Sequence, residues 1–214
     1  SEIMYHPRHK SLTSEDTARE WIEIFNPGDE PVALAGWKLA DAVDFVFPDV
    51  RLEAGAYLVV AADADVFRAQ HPDVTNVVGG WAGWLSNSGE RLTLANAAGA
   101  VLDSIEYADE GDWVARERGP SDHGHRGWQW SDDIDGGGKS LELIDAAGPN
   151  EFGQNWAASL ENEGTPGRAN SVAASDSPPM ISEVRHIPLI PKPDDFVTVT
   201  ARVIDGATPQ ASVR

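Results

Sequence analysis

Residues 20–41, with the sequence EWIEIFNPGDEPVALAGWKLAD, contain the pattern that decides the fold class. Between Trp21 and Phe25, Ile22 and Ile24 alternate with larger or charged residues. Alternation with a period of two is typical of a β-strand whose two faces have different environments. A strand is therefore predicted at Trp21–Phe25.

The same stretch then reverses direction and continues as a second strand. Residues 26–31 (NPGDEP) have turn chemistry, because Pro fixes φ and Gly permits a positive φ. The second strand is predicted from Val32 to Leu39. Its apolar residues change from one face of the strand to the other at Gly36, which indicates a bulge. The stretch therefore predicts a hairpin of a β-sandwich. Glu20, Glu23 and Asp41 flank this hairpin. They are interpreted as outward-facing acids that keep the surface soluble, and the alternative is that the three carboxylates meet near one edge as a site.

Three further segments have distinct patterns. Residues 63–70 predict a two-turn helix, N-capped by Asp63, that crosses between sheets. Residues 91–96 and Val101–Tyr107 predict a hairpin with Leu92, Leu94, Val101, Ile105 and Tyr107 on its inner face. Residues 109–138 form a long segment whose tryptophans argue against disorder, so we expect an ordered loop that folds back on the sandwich.

Composition excludes several classes of function. The 214 residues contain no cysteine, which excludes disulfides, thiolate metal sites and a cysteine nucleophile. The net charge of −19 repels phosphate backbones, so we expect no nucleic-acid partner. No apolar run approaches the roughly 20 residues that a membrane helix needs, so no membrane insertion is expected. An acidic surface suits solubility, cation binding or basic partners.

Several ordered motifs are shared with a known family. They are residues 1–5 (SEIMY), 20–27 (EWIEIFNP), 34–39 (LAGWKL), 45–48 (FVFP), 55–60 (GAYLVV), 138–143 (GKSLEL), 155–159 (NWAAS) and 164–167 (GTPG). Together they resemble the lamin tail domain over most of residues 1–171. This resemblance implies an all-β, immunoglobulin-like sandwich that serves as an interaction module without an established active site. The bacterial form occurs in secreted and surface multidomain proteins, so an extracellular or cell-surface location is expected.

The end of the chain predicts a second unit. After the first domain at 1–171, residues 172–179 have the small residues and prolines of a linker. Residues 180–214 resemble the opening strands of another immunoglobulin- or fibronectin-like domain that is cut short, which suggests a fragment of a longer protein. Two strands alone cannot bury a core.

Residues 131–142 (SDDIDGGGKSLE) partly match the calcium-loop pattern D-x-[DN]-x-[DN]-G-x₅-E. Asp133, Asp135 and Glu142 take ligand positions, whereas Ser131 replaces the first acid. The sequence thus predicts no cofactor, with calcium at this loop as a candidate. The alternative is a Gly-rich turn with solvated carboxylates, in which Glu142 is the outward residue of the last strand.

Two histidine pairs and three tryptophans complete the candidate sites. His123 with His125, and His6 with His9, have spacings that a zinc or copper ion uses, although exposed histidines without metal are the more ordinary interpretation. Flat aromatic side chains stack on sugar rings. Trp113, Trp128 and Trp130 are therefore candidate ligand-binding residues, with anchoring to the core as the alternative.

No catalytic motif accompanies these features, since the chain lacks the G-x-S-x-G elbow and the phosphate-binding loop. The sequence therefore predicts a non-enzymatic adhesion or scaffolding module of a larger extracellular or cell-surface bacterial protein. Its partners would be other protein domains or surface polymers, and the oligomeric state stays open. Two alternatives are a carbohydrate-binding accessory module that uses the loop tryptophans, and a module that positions a neighbouring catalytic domain such as a kinase-like spore-coat domain.

Overall fold

The computed structural model describes residues 1–8, 16–175 and 177–204, and it consists mainly of strands. The strands are β1 (Glu2–Met4), β2 (Trp21–Phe25), β3 (Val32–Ala33), β4 (Lys38–Asp41), β5 (Val43–Val46), β6 (Arg51–Leu52), β7 (Tyr57–Ala61), β8 (Val77–Gly79), β9 (Ala82–Gly83), β10 (Glu90–Ala95), β11 (Val101–Tyr107), β12 (Arg116–Asp122), β13 (His125–Trp130), β14 (Leu141–Leu143), β15 (Trp156–Ala158), β16 (Met180–Ile187) and β17 (Thr198–Ile204). The helix α1 is Ala64–Gln70, and 3₁₀ turns occur at Thr17–Arg19, Gly111–Trp113 and Gly153–Asn155. The predicted all-β class with one short helix is confirmed.

Two sheets form the body of the molecule. One has six strands in the order β15-β14-β1-β2-β7-β8, and the other has five in the order β11-β10-β4-β5-β9. Apolar side chains from both sheets, including Ile22, Leu58, Leu39 and Leu92, form one buried cluster between them. Alternation along each strand sends these side chains inward, so the predicted sandwich is present.

The predicted hairpin at residues 20–41 is wrong. Strand β2 pairs with β1 and β7 in the six-stranded sheet, whereas β4 pairs with β5 and β10 in the other sheet. The connection reverses at Gly36, which has a φ of 77°, in a turn where the Trp37 N–H donates to the Leu34 carbonyl at 2.9 Å. Gly36 therefore makes a turn rather than a bulge, and the stretch links the two sheets.

Helix α1 has the predicted position but a different topological role. The Asp63 carboxylate accepts from the N–H groups of Asp65 (2.9 Å) and Val66 (3.1 Å), which is an N-cap. The helix connects β7 to β8, which are parallel neighbours in the same sheet. The predicted crossover between sheets is therefore wrong, since α1 belongs to a β-α-β connection within one sheet.

The hairpin β10–β11 is confirmed, with Leu92 opposite Ile105. Ile105 and Tyr107 are buried as predicted. Val101 is exposed instead of inward, because it lies beyond the register shift at the turn end of the hairpin.

Residues 109–138 are ordered, but only their ends return to the body. Trp113 packs against the core cluster and Ile134 is buried within it. Between them, β12 and β13 form a hairpin that pairs with no other strand of the described residues and is exposed almost throughout. The expectation that the whole segment folds back is wrong for this hairpin.

Strands β16 and β17 form a separate two-stranded sheet. It meets the body through the Gln154 side chain, which accepts from the Ile181 N–H at 2.7 Å and donates to the Ile181 carbonyl at 2.8 Å. Met180 is buried, whereas most apolar residues of the hairpin are exposed. Its identity as the start of a second domain stays a prediction.

Candidate interaction surface

Residues 116–130, here called the arm, comprise β12, β13 and the turn between them. The turn residues His123 and Gly124 both have positive φ, 48° and 84°, which is the conformation of the type I′ turns that join antiparallel strands tightly. Glycine adopts this conformation without strain. The Asp122-His123-Gly124-His125 sequence therefore closes the arm with a two-residue loop.

The arm contains one bulge. Arg118 lies opposite Trp128 and Ser121 lies opposite Arg126, so β12 has one more residue than β13 in this interval. The extra residue falls at Gly119-Pro120, where Pro provides no N–H for pairing. The strands are regular on the body side of this bulge.

On the body side of the bulge, two arginines and two tryptophans share one face of the arm. Arg116 is opposite Trp130 and Arg118 is opposite Trp128, and alternate residues of a strand lie on the same face. The Arg118 guanidinium carbon lies 4.2 Å from the centre of the Trp128 ring, and that of Arg116 lies 4.8 Å from Trp128 and 5.2 Å from Trp130. We call these four residues the Arg–Trp ladder. Each such contact stabilises an exposed site by about 0.5–1 kcal/mol.

The ladder is exposed and its charges are not neutralised. Trp128 and Trp130 retain 47% and 38% of their accessible surface. Among the described residues, no ion pair involves Arg116, Arg118 or Arg126. The arm contains three arginines and two acids, a net charge of +1, on a chain of net charge −19. It is a basic, aromatic surface on an acidic protein.

Trp113, the third predicted ligand-binding residue, has a different environment. Its ring centre lies 5.9 Å from that of Trp156, and both belong to the core region. Trp113 thus anchors its segment to the core, which was the alternative to ligand binding. Trp128 and Trp130, in contrast, are on the exposed arm.

The predicted calcium ligands do not come together. Asp133 accepts from the Lys139 ammonium group at 3.2 Å, and Asp135 contacts His6 Nδ1 at 2.5 Å. Glu142 is buried and accepts from Thr165 Oγ1 at 2.6 Å. Within residues 1–8, 16–175 and 177–204, no three His, Asp or Glu side chains are placed to hold a metal ion.

The histidine pairs have separate environments as well. His123 is exposed and contacts the neighbouring Asp122 at 2.6 Å, and His125 lies opposite Asp122 in the arm. His6 contacts Asp135, and its predicted partner His9 lies outside the described residues.

A row of buried carboxylates was missed by sequence reasoning. Glu23, Glu2 and Glu142 lie side by side on the neighbouring strands β2, β1 and β14 and are almost completely buried. The interpretation of Glu23 and Glu142 as solvent-exposed acids is therefore wrong, because both are buried. It is also wrong for Glu20, which is buried and accepts from the Leu85 N–H at 2.8 Å. The available signal was that Glu23 stands between Ile22 and Ile24 and Glu142 between Leu141 and Leu143.

Residues 164–172 cover this carboxylate row and supply its hydrogen bonds. The Thr165 N–H donates to Glu2 at 2.8 Å, the Gly167 N–H to Glu23 at 2.5 Å, and the Val172 N–H to Glu142 at 3.0 Å. Burial raises the pKa of Glu2 to about 8 and that of Glu23 to about 7, although these hydrogen bonds act in the opposite direction. The row thus binds residues 164–172 to the six-stranded sheet and is covered by them. The arm, in contrast, is exposed and is the candidate interaction surface.

The comparison with known protein families agrees with this architecture. The family model of the lamin tail domain matches residues 1–109, which is half of the chain and spans β1–β11. The chain belongs to the lamin tail domain family. A search of curated proteins found no match.

The lamin tail domain has an immunoglobulin-like fold that is typically non-catalytic and serves in protein interaction. The matched residues include Glu2 and Glu23, whereas Glu142 and the arm lie beyond them. In the described part of this lamin tail domain, no helix has both the length and the apolar character to cross a membrane.

Proposed function

We propose that this lamin tail domain is an adhesion or scaffolding module of a larger extracellular or cell-surface bacterial protein, and that the arm is its contact surface. The observation that carries this proposal is the Arg–Trp ladder, whose arginines have no carboxylate partner among the described residues although Asp and Glu outnumber Lys and Arg by 35 to 16. Exposed Trp and Arg are the residues that contribute most to binding at interfaces.

The extracellular part of the proposal rests on the resemblance to bacterial lamin tail domains, which occur in secreted and surface multidomain proteins. The hairpin β16–β17 supports a modular organisation, because its apolar residues Ile187, Leu189 and Phe196 are exposed and need further strands or a neighbour to cover them. The alternative is a neighbouring catalytic domain that this module positions. Protease treatment of intact cells tests the location, since a surface protein is cleaved while a cytoplasmic marker survives.

An array of extracellular proteins and surface polysaccharides tests the contact surface. We expect the wild-type chain to be retained by at least one ligand, and the Arg118→Ser/Trp128→Ser variant to lose that retention. A Val46→Ser variant is the matched control, since Val46 is an exposed apolar residue outside the arm. Retention that is equal for the wild type and the arm variant on every ligand would contradict the proposal.

Carbohydrate binding is the second candidate, because Trp128 and Trp130 expose part of their rings. In that case, retention on a polysaccharide would be lost in Trp128→Ala but kept in Arg118→Gln, since the ring rather than the charge would make the contact. The two variants thus separate a sugar-stacking surface from a charged one on the same array.

A further inference from the structure

The ladder arginines have hydrogen-bonding capacity that the described residues do not use. No hydrogen bond or ion pair of the described residues involves the guanidinium N–H groups of Arg116 or Arg118, and each guanidinium has five such donors. Stacking on a ring fixes the plane of the guanidinium, so less rotational freedom is lost when it binds an anion. A carboxylate is the side-chain anion that fits this planar group with two hydrogen bonds.

The stacking also disfavours a sugar as the occupant of the ladder. Trp128 has two guanidinium groups against it, at 4.2 and 4.8 Å, and Trp130 has one at 5.2 Å. A sugar ring stacks on a free aromatic face, so it would have to displace these groups. An acidic ligand, in contrast, binds the arginines where they are.

The spacing and the free strand edge favour an extended polypeptide. Arg116 and Arg118 are two residues apart on β12, which corresponds to about 6.8 Å in an extended strand. Alternate side chains of a bound extended peptide have the same spacing. Strand β12 pairs only with β13 among the described strands, so its other edge can accept a peptide as an added strand, which ends where Pro120 provides no N–H.

We propose that the arm binds an extended acidic segment of a partner protein, with carboxylates at alternate positions opposite Arg116 and Arg118. The proposal deepens the proposed function, on which it rests, by naming the chemical class of the partner. Acidic side chains placed directly across from arginines in an antiparallel pair lie within about 5 Å at Cβ, which allows direct ion pairs.

Fluorescence anisotropy with two labelled peptides of equal composition tests this proposal. One peptide alternates Glu and Thr, and the other repeats the order Glu-Glu-Thr-Thr. In an extended chain, carboxylates then occupy successive positions of one face only in the first peptide. We expect the alternating peptide to bind the wild-type chain about tenfold more tightly, and Arg116→Gln/Arg118→Gln to reduce its affinity by at least about tenfold. Arg91→Gln is the matched control and should leave the affinity unchanged, because Arg91 is exposed on another hairpin and already pairs with Glu106 at 3.0 Å.

Further variants separate geometry from charge. Arg116→Lys/Arg118→Lys keeps the charge but loses the planar, stacked group, so we expect it to bind the alternating peptide several-fold less tightly than the wild type. Equal affinity of the two peptides, or equal binding by the wild type and the Gln variant, would overturn the inference.

Polygalacturonate, an anionic polysaccharide, is the probe that distinguishes failure of the inference from failure of the proposed function. If polygalacturonate binds in an arm-dependent way and the peptides do not, the arm is a contact surface but its partner is not an acidic polypeptide. If the arm variants change binding of neither probe and of no array ligand, both proposals fail.

Discussion

At the scale of single residues, the row of Glu2, Glu23 and Glu142 holds residues 164–172 on the outer face of the six-stranded sheet. Each carboxylate accepts a backbone N–H from residues 164–172, and Thr165 Oγ1 also donates to Glu142 at 2.6 Å. Buried carboxylates are costly unless they are hydrogen-bonded or protonated. All three carboxylates are hydrogen-bonded, and burial raises the pKa of Glu2 and of Glu23, which favours the protonated form of these two groups.

The pKa values make the stability depend on pH in a defined direction. The pKa of Glu2 is about 8 in the folded chain against 4.5 in an exposed carboxyl group, and that of Glu23 is about 7. Between these limits the folded state binds more protons than the unfolded state, so the free energy of unfolding falls as the pH rises from about 4.5 to about 8. We expect the Tm to fall by about 5 °C or more over this window.

Replacing Glu2 by Gln should remove much of this dependence. The amide has the shape of the protonated acid and keeps an oxygen to accept from Ser140 Oγ and the Thr165 N–H. We therefore expect Glu2→Gln to have a flatter Tm profile than the wild type between pH 5 and pH 9, measured by thermal unfolding followed by circular dichroism. Glu106→Gln, at an exposed carboxylate, is the control. Equal slopes for the wild type and Glu2→Gln would show that Glu2 does not titrate in this window.

These same residues illustrate what sequence could not predict. Alternation along β2 and β14 assigned Glu23 and Glu142 to the face opposite the core, and that assignment is right. It does not reveal whether a distant segment covers that face. The cover comes from residues 164–172, more than 140 positions after Glu23 and within a region of irregular structure.

At the scale of elements, local chemistry predicted strands and helix well, but not which elements pair. Trp21–Phe25 and the cap of α1 follow from short-range patterns. The turn chemistry at residues 26–31 suits a hairpin and a link between sheets equally, and only the pairing of β2 with β7 decides between them. Tertiary packing makes that choice, so the sequence alone led to the wrong hairpin.

The cap of α1 provides a direct test of the local reasoning. Asp63→Ala removes the carboxylate that accepts from the N–H groups of Asp65 and Val66, and should lower the free energy of unfolding by about 1 kcal/mol. Asp65→Ala is the control, because Asp65 is fully exposed and should have little effect. Urea unfolding measures both. If the two variants are equally stable, the cap does not contribute to the fold.

The arm should differ from the core in the effect of a tryptophan substitution. Trp156 is buried and its Nε1 donates to the Asn150 carbonyl at 2.8 Å, so Trp156→Ala should destabilise the chain by about 3–5 kcal/mol. Trp128 contacts two arginines on an exposed hairpin, so Trp128→Ala should cost only about 1–2 kcal/mol.

Urea unfolding of both tryptophan variants at one pH makes this comparison. A small effect at Trp128 would mean that the ring is available for binding at little cost to folding. A loss at Trp128 as large as that at Trp156 would instead show that the arm packs into the body, which would remove the structural basis of the contact surface.

At the scale of the whole molecule, charge and modularity act together. The body is strongly acidic, the arm is locally basic, and a further hairpin with exposed apolar residues follows the closing segment. A negative body repels polyanions at long range, and the charge of the arm acts only within about 8–10 Å at physiological salt. If the arm binds acidic segments as proposed, short segments should therefore bind more tightly than long polyanions, which would also meet the body.

The attachment of the hairpin β16–β17 depends on one side chain in particular. Gln154 forms two hydrogen bonds with the backbone of Ile181, and its amide also donates to Asp112 at 2.8 Å. Gln154→Ala should therefore increase amide hydrogen exchange in β16 while the exchange of β1 and β2 stays unchanged, because their pairing is independent of this contact. Gln129→Ala, an exposed glutamine on the arm, is the control. Unchanged exchange of β16 in Gln154→Ala would mean that other contacts, such as the buried Met180, hold the hairpin without the amide.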